Sequence, residues 1–222
     1  MLAPFAPFLQ KTSIVLASQS PRRRAIFQEN LGLVFEVVVS GFAEDVDKSA
    51  CADPSDYVAK TSRIKAESVV EELTSKGRYV DIIVSADTIV VCDADILEKP
   101  KSKLEAFDIL KRLSGREHMV LTAVTIAVRE GIKFNSLESQ TTVLGQFYSF
   151  KTFVESTTVQ FKELEDATIN AYIETGEPMD KAGAYGIQSL GSSFVTEIRG
   201  CYFNVVGFPV HRFCIELIAM IS

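Results

Sequence analysis

Asp81-Ile-Ile-Val-Ser-Ala-Asp-Thr-Ile-Val-Val-Cys92 is the stretch on which the fold turns. Its apolar, β-branched residues read as a buried strand, interrupted by Asp87 and Thr88. Upstream, Asp53-Pro-Ser-Asp56 opens a long helix that runs to about Ser75, with Gly77 behind it as the stop signal. Along that helix Val58, Lys65, Val69 and Leu73 fall near one face, so a lysine stands where the pattern prefers an aliphatic side chain. Further upstream, Ser13-Ile-Val-Leu-Ala17 reads as another strand, and Ser18-Gln-Ser-Pro-Arg-Arg-Arg24 as a loop entering a helix that ends near Leu31. Ser20 suits the cap, Pro21 the first helical position, where its missing N–H goes unneeded, and Gly32 the left-handed stop. Residues 35–40 are expected to form a strand, leading into an acidic loop with Glu44, Asp45 and Asp47.

Downstream of Cys92, Ser102 and Glu105 make a capping-box pattern for a helix ending before Gly115. Residues 119–128 and 153–161 predict a hairpin, and the connection 129–152 reads as a surface extension. A helix over 163–174, strand-like segments at 194–198 and 202–206, and a last helix after Pro209 complete the pattern. Strands and helices alternate as in an α/β sheet, while the hairpin implies a mixed rather than wholly parallel one.

The 222 residues fit one substantial domain or two small lobes sharing a core. Hydrophobic residues make up 47% and charged residues 23%, the balance of a globular protein rather than a disordered one. Lys and Arg number 23 against 29 Asp and Glu, a net charge of −6. That balance argues against a nucleic-acid partner and requires any phosphate site to be local. Cys51, Cys92, Cys201 and Cys214 contain no Cys-x-x-Cys pair, so neither a zinc knuckle nor a disulfide framework is suggested. His118 and His211 offer no helix-spaced metal pair, which points acid–base chemistry toward carboxylates. The apolar start lacks a basic leading region and is broken by Pro4 and Pro7, and no apolar run reaches membrane length. A cytoplasmic protein without a membrane partner is the expectation.

Three signals carry chemistry. At Ser20-Pro21-Arg22-Arg23 a helix start with free N–H groups and two guanidiniums reads as a phosphate cradle, or as a routinely capped surface helix with solvated arginines. Neither Gly-x-x-x-x-Gly-Lys nor Gly-x-Gly-x-x-Gly occurs, so the two commonest phosphate folds are unsupported. Asp87 inside an apolar strand needs compensation by a metal, a lysine or a water awaiting deprotonation, unless it caps a turn at the strand end. Lys99 and Lys65 are the nearby sources of positive charge; the plainer readings are a turn lysine and a snorkelling one. In Gly176-Glu-Pro-Met-Asp-Lys-Ala-Gly-Ala-Tyr-Gly-Ile-Gln188, glycines let backbone approach a ligand, Glu177, Asp180 and Lys181 provide charge, and Gln188 suits a pyrimidine carbonyl and ring N–H, or is an ordinary loop amide.

In combination these stretches resemble the Maf family of nucleotide pyrophosphatases. The matching segments include Leu16-Ala-Ser-Gln-Ser-Pro-Arg-Arg23, Ser85-Ala-Asp-Thr-Ile-Val90, Glu98-Lys-Pro100, Leu113-Ser-Gly-Arg116, Phe153-Val-Glu-Ser-Thr-Thr-Val-Gln-Phe161, Tyr172-Ile-Glu-Thr-Gly-Glu-Pro178, Asp180-Lys-Ala-Gly-Ala-Tyr-Gly-Ile-Gln188 and Asn204-Val-Val-Gly207, in family order. The resemblance implies an α/β, inosine-triphosphatase-like fold of two lobes around a central cleft, with a mixed twisted sheet flanked by helices. It implies one domain over 13–222 with an N-terminal extension over 1–12, and a homodimer. It also implies hydrolysis of a nucleoside triphosphate to monophosphate and pyrophosphate with a divalent cation, magnesium or alternatively manganese. Asp87 matches the catalytic proton acceptor; Arg22, Thr88 and Gln188 match the positions of substrate choice, in the combination of the dTTP and UTP subgroup. Ser18, Arg23, Glu44, Lys65 and Lys99 match further polar positions of the cleft, the first two and the two lysines expected to bind substrate, and Glu44 with Asp87 expected to hold the metal. Whether Asp87 acts as base or as metal ligand stays open, since both tasks need an ionised carboxylate there. The competing readings are a 7-methyl-GTP or other modified-nucleotide pyrophosphatase, and a non-catalytic, nucleotide-binding regulator of cell division.

Overall fold

The structure, a computed structural model, describes residues 2–42, 46–133 and 148–222. Its strands are β1 (Ile14–Ala17), β2 (Glu36–Val37), β3 (Ile82–Cys92), β4 (Asp95–Leu97), β5 (Glu117–Arg129), β6 (Tyr148–Phe161) and β7 (Val195–Arg199). They form one sheet in the order β2-β1-β3-β5-β6-β7, with β4 also paired to β3. β1 runs parallel to β2 and β3, and the remaining pairings are antiparallel, so the fold is α/β with a mixed sheet, as expected.

The helices are α1 (Ala6–Leu9), α2 (Pro21–Ala25), α3 (Pro54–Ser75), α4 (Lys103–Leu113), α5 (Asp166–Glu174), α6 (Tyr202–Val206) and α7 (Val210–Ile221). Their starts follow the caps legible in the sequence: Ser20 accepts from Arg23 N–H, Asp53 from Asp56 N–H and Ser102 from Glu105 N–H. Side chains alternate across a strand. Ile83, Ile89 and Val91 of β3 pack in the clusters that hold Tyr57, Val58, Val69 and Leu73 of α3. On the opposite face Ile82, Val84 and Ala86 join Phe27, Phe213 and Leu217, whereas Val90 and Cys92 join Leu110, Leu113 and Ile169 of α4 and α5. Thr88 falls between those two clusters. Leu2 and Leu9 are buried in the first of them, which fastens the segment ahead of Ser13 to the core.

A break in the sheet beside β3 positions the site. Ile82 N–H donates to Ser13 O, and Arg129 N–H donates to Asp81 O, so even-numbered residues of β3 turn their peptide groups toward β1 and odd-numbered ones toward β5. β5 accompanies β3 from Ile82 to Val91 without interruption. On the other side β1 pairs only as far as Ser85, and β4 begins only at Val90. Residues 86–89 therefore face a gap in the sheet.

Several elements differ from expectation. Residues 202–206 are helical, not a strand: Gly207 at φ +118° provides a left-handed stop that outweighs the β propensity of the apolar run. β6 begins at Tyr148, so residues 148–152 pair with 125–129 instead of belonging to the extension, whose residues 134–147 lie outside those described. The strand over 35–40 shortens to Glu36–Val37, and the helix over 163–174 starts at Asp166. The helix from Pro21 is α-helical to Ala25 and continues as a π-turn over Ile26–Asn30.

Candidate active site

A cavity of about 660 Å³ opens at the gap. Ser18, Arg22, Arg23, Lys65, Asp87, Thr88, Lys99 and Gln188 all line it, although they come from residues 170 positions apart in the chain. Glu44 lies outside the described residues.

Asp87 and Thr88 reach this cavity from opposite faces of β3. Asp87 turns toward α3, where Lys65 Nζ lies 2.7 Å from its Oδ1, with the two side chains only 14% and 9% exposed. The lysine that breaks the aliphatic stripe of α3 is thus the counter-charge of the carboxylate that breaks the apolar run of β3. Such a buried pair needs good geometry to offset desolvation. Among the described residues no hydrogen bond reaches Asp87 Oδ2. Nearby, Tyr57 lies with its hydroxyl 3.4 Å from Glu98 Oε1. Burial first, and then the charges of Glu98 and Asp87, push the Tyr57 phenol up to about 12, so it stays a neutral donor.

Thr88 turns the other way, into a directional chain. Arg23 Nη2 donates to Thr88 Oγ1 at 2.9 Å, Thr88 Oγ1 lies 3.0 Å from Thr122 Oγ1, and Thr122 Oγ1 donates to Asn204 O at 3.0 Å. Thr122 has one proton and a carbonyl can only accept, so the single Thr88 proton goes to Thr122 Oγ1 or to Gly207 O, 3.5 Å away. What Thr88 has left for the cavity is acceptor capacity.

Arg23 also donates from Nε to Gly207 O at 2.9 Å and from Nη1 to Ala86 O at 2.8 Å and Ser18 Oγ at 3.2 Å. It ties the loop after β1 to the open edge of β3 and to the turn after α6. The planar fork of an arginine suits that task. It lies in the cavity wall, and the donors named are spent on protein atoms. Arg22 instead reaches Asp180 at 3.4 Å across the cavity mouth. Burial raises the Asp180 carboxyl, but Lys181 and Arg22 together bring it below its ordinary range. Lys99 is exposed and has no carboxylate partner among the described residues, and the Gln188 amide is likewise without a protein partner there. Arg22, Lys99 and Gln188 are the groups best disposed to meet a ligand.

Asp180 lines the cavity as one of the charges expected of the glycine-rich loop. Tyr57 and Glu98 line it as well, and neither carried a signal of its own in the sequence, because nothing in an aromatic on a helix reveals a hydroxyl aimed at a cleft. Among the described residues no cluster of three His, Cys, Asp or Glu side chains surrounds a common point.

Fold and cavity together define an α/β protein whose cation-flanked carboxylate sits in a break of the central sheet. The family described as Maf-like protein matches residues 13–220, and the chain belongs to that family. A human protein named probable bifunctional dTTP/UTP pyrophosphatase/methyltransferase is 43% identical over 221 residues, 99% of this chain and 34% of that protein. The chain thus spans about a third of the human relative. The dTTP/UTP pyrophosphatases of Thermoanaerobacter sp. (strain X514) and Clostridium perfringens (strain 13 / Type A) are 44% and 42% identical, each covering 90% of this chain and 92% of their own length.

Proposed function

We propose that this chain hydrolyses dTTP and UTP to the monophosphate and pyrophosphate. The observation that carries the reading is Asp87 at the sheet gap, paired with Lys65 through one oxygen and lining the same cavity as Arg22, Lys99 and Gln188. The names of the relatives above supply the substrate class.

The chemistry follows from the residue types. Water attacks the α-phosphorus in line; Asp87 takes its proton, and the bond from α-phosphorus to the bridging oxygen breaks with its electron pair going to pyrophosphate. Lys65 keeps the Asp87 carboxylate oriented and charge-compensated. Arg22 and Lys99 offset the charge of the phosphate oxygens, with Arg22 exchanging Asp180 for the ligand. Thr88 accepts from a ligand N–H or O–H. Gln188 reads a carbonyl and ring N–H of uracil or thymine with its amide. Arg23 shapes the pocket, holding Ser18 and Thr88.

A magnesium ion fits this donor set, because magnesium is held by one or two carboxylates with the remaining positions taken by phosphate oxygens and water. Glu44 is the carboxylate that would hold it, and the Asp87 oxygen not bound to Lys65 would join it only where it is not the proton acceptor. When bound it supplies neutralisation of the triphosphate charge. Four free cysteines suit a reducing compartment, and a cytoplasmic location is part of the same reading, as is a homodimer on the family resemblance. Sedimentation at micromolar concentration tests the dimer, and a single monomeric species contradicts it.

The test of function is a panel of dTTP, UTP, CTP and 7-methyl-GTP with magnesium, read as pyrophosphate and orthophosphate separately. Magnesium-dependent pyrophosphate from dTTP and UTP is expected. Preference for 7-methyl-GTP moves the chain to the modified-nucleotide reading, and no turnover across the panel favours the regulator.

A further inference from the structure

Gln188 sits on a loop whose two ends are fastened by side chains that lie outside the cavity. Glu177 Oε1 accepts from Gly191 N–H at 3.2 Å and from Tyr172 Oη at 2.9 Å, and Glu177 Oε2 accepts from Leu190 N–H at 3.1 Å. Tyr172 Oη in turn accepts from Gly186 N–H at 3.2 Å. The neck between Gly186 and Gly191 is closed to the limit of packing. A Cβ on Gly191 would lie 2.8 Å from Tyr172 Oη and 2.9 Å from Gly186 O, and one on Gly186 would lie 3.0 Å from Glu177 Oε1. Lys181 Nζ anchors the same structure from below, donating to Glu177 O at 2.7 Å.

We propose that Glu177 is a positioning residue for substrate selection: with Tyr172 it cinches the neck of the loop over 186–191 and so holds Gln188 at the cavity. The inference rests on the pyrophosphatase reading for its kinetic consequence, but the cinch itself does not. A carboxylate is the one side chain of this length that accepts from three donors at once. Without it the N–H groups of Leu190 and Gly191 lose their partners, the neck relaxes and Gln188 no longer waits in one place. Among the described residues neither the Glu177 carboxylate nor the Tyr172 hydroxyl bonds to Arg22 or Lys99, the groups assigned to the phosphates.

Glu177→Gln keeps the shape and turns an amide N–H₂ toward a backbone donor. Tyr172→Phe removes the second half of the cinch and serves if the first variant does not fold. The wild-type protein, both variants, Gln188→Ala and the Glu177→Gln/Gln188→Ala double variant are compared for UTP hydrolysis, inhibition by free pyrophosphate and amide hydrogen exchange. Glu177→Gln is expected to lower kcat/KM for UTP roughly tenfold, mostly through KM, since about one hydrogen bond to the base is lost. Pyrophosphate inhibition stays unchanged, and exchange at Leu190 and Gly191 accelerates. On the Gln188→Ala background the same change costs little more, because the two act through one contact. Multiplicative losses in the double variant, an equal weakening of pyrophosphate, or unaltered exchange at Leu190 and Gly191 overturns the proposal. If the wild-type protein releases no pyrophosphate from UTP, the functional reading falls separately, and the exchange rates alone decide the cinch.

Discussion

Lys65 and Asp87 each violate the apolar pattern of the element that carries them, and the structure shows the two violations to be one feature. Removing Lys65 leaves the buried Asp87 carboxylate without this counter-charge. Lys65→Met is expected to lower the free energy of unfolding in urea by about 3 kcal/mol, and Lys65→Met/Asp87→Asn to recover much of it. A double variant no more stable than Lys65→Met contradicts the pairing. Both residues were legible because each stood alone against a strong periodicity. Arg23 was legible as a cationic residue at a helix start, but not as the hub that joins Gly207, Ala86, Ser18 and Thr88, since those partners lie up to 184 positions away. Glu177 was legible as one of the charges of the glycine-rich loop but not as its clasp: its partners are mainly backbone N–H groups, which every sequence possesses.

Elements were read well where a cap or a stop accompanied a long period. The helix opened by Asp53 runs over Pro54–Ser75, and the helix after Ser102 over Lys103–Leu113. The short elements went wrong for an equally physical reason: in five residues such as 202–206, β propensity speaks louder than a single following glycine, and only the burial of Val206 and the turn at Gly207 settle the matter. The gap in the sheet was not legible, because it depends on where β1 stops and β4 starts beside β3. One glycine fixes the loop that walls this gap. Gly183 has φ +69°, its N–H donates to Glu98 O at 3.3 Å, and a Cβ there would lie 2.6 Å from Val90 Cγ2. Gly183→Ala is expected to destabilise by about 3 kcal/mol, from left-handed strain together with overpacking on β3, read as a lowered thermal midpoint. A midpoint equal to that of the parent contradicts this packing.

For the molecule as a whole, one contributor to acid sensitivity is His118, which is buried against Phe161 and Tyr185 with Nε2 2.9 Å from Tyr185 Oη. Burial lowers its pKa from 6.5 to about 4. Between those values the unfolded chain binds a proton that the folded chain refuses, so stability falls as pH drops from about 6.5 to about 4 and the loss levels off below. His118→Gln is expected to flatten that part of the unfolding profile, and an unchanged slope in the variant contradicts the burial of a neutral imidazole. The overall α/β class and the mixed sheet were legible from alternation and the hairpin; the meeting of eight distant residues around one cavity became legible only through the family resemblance. No described helix is long and apolar enough to cross a membrane. The claim on which the account rests is that a single carboxylate at the sheet gap accepts the proton of the attacking water. Its most direct measurement is pyrophosphate release from UTP by Asp87→Asn, with circular dichroism confirming that the variant is folded. A positioned base contributes about 10²–10⁴ in rate, and a loss in that range is predicted; a folded Asp87→Asn protein working at the parent rate contradicts the account.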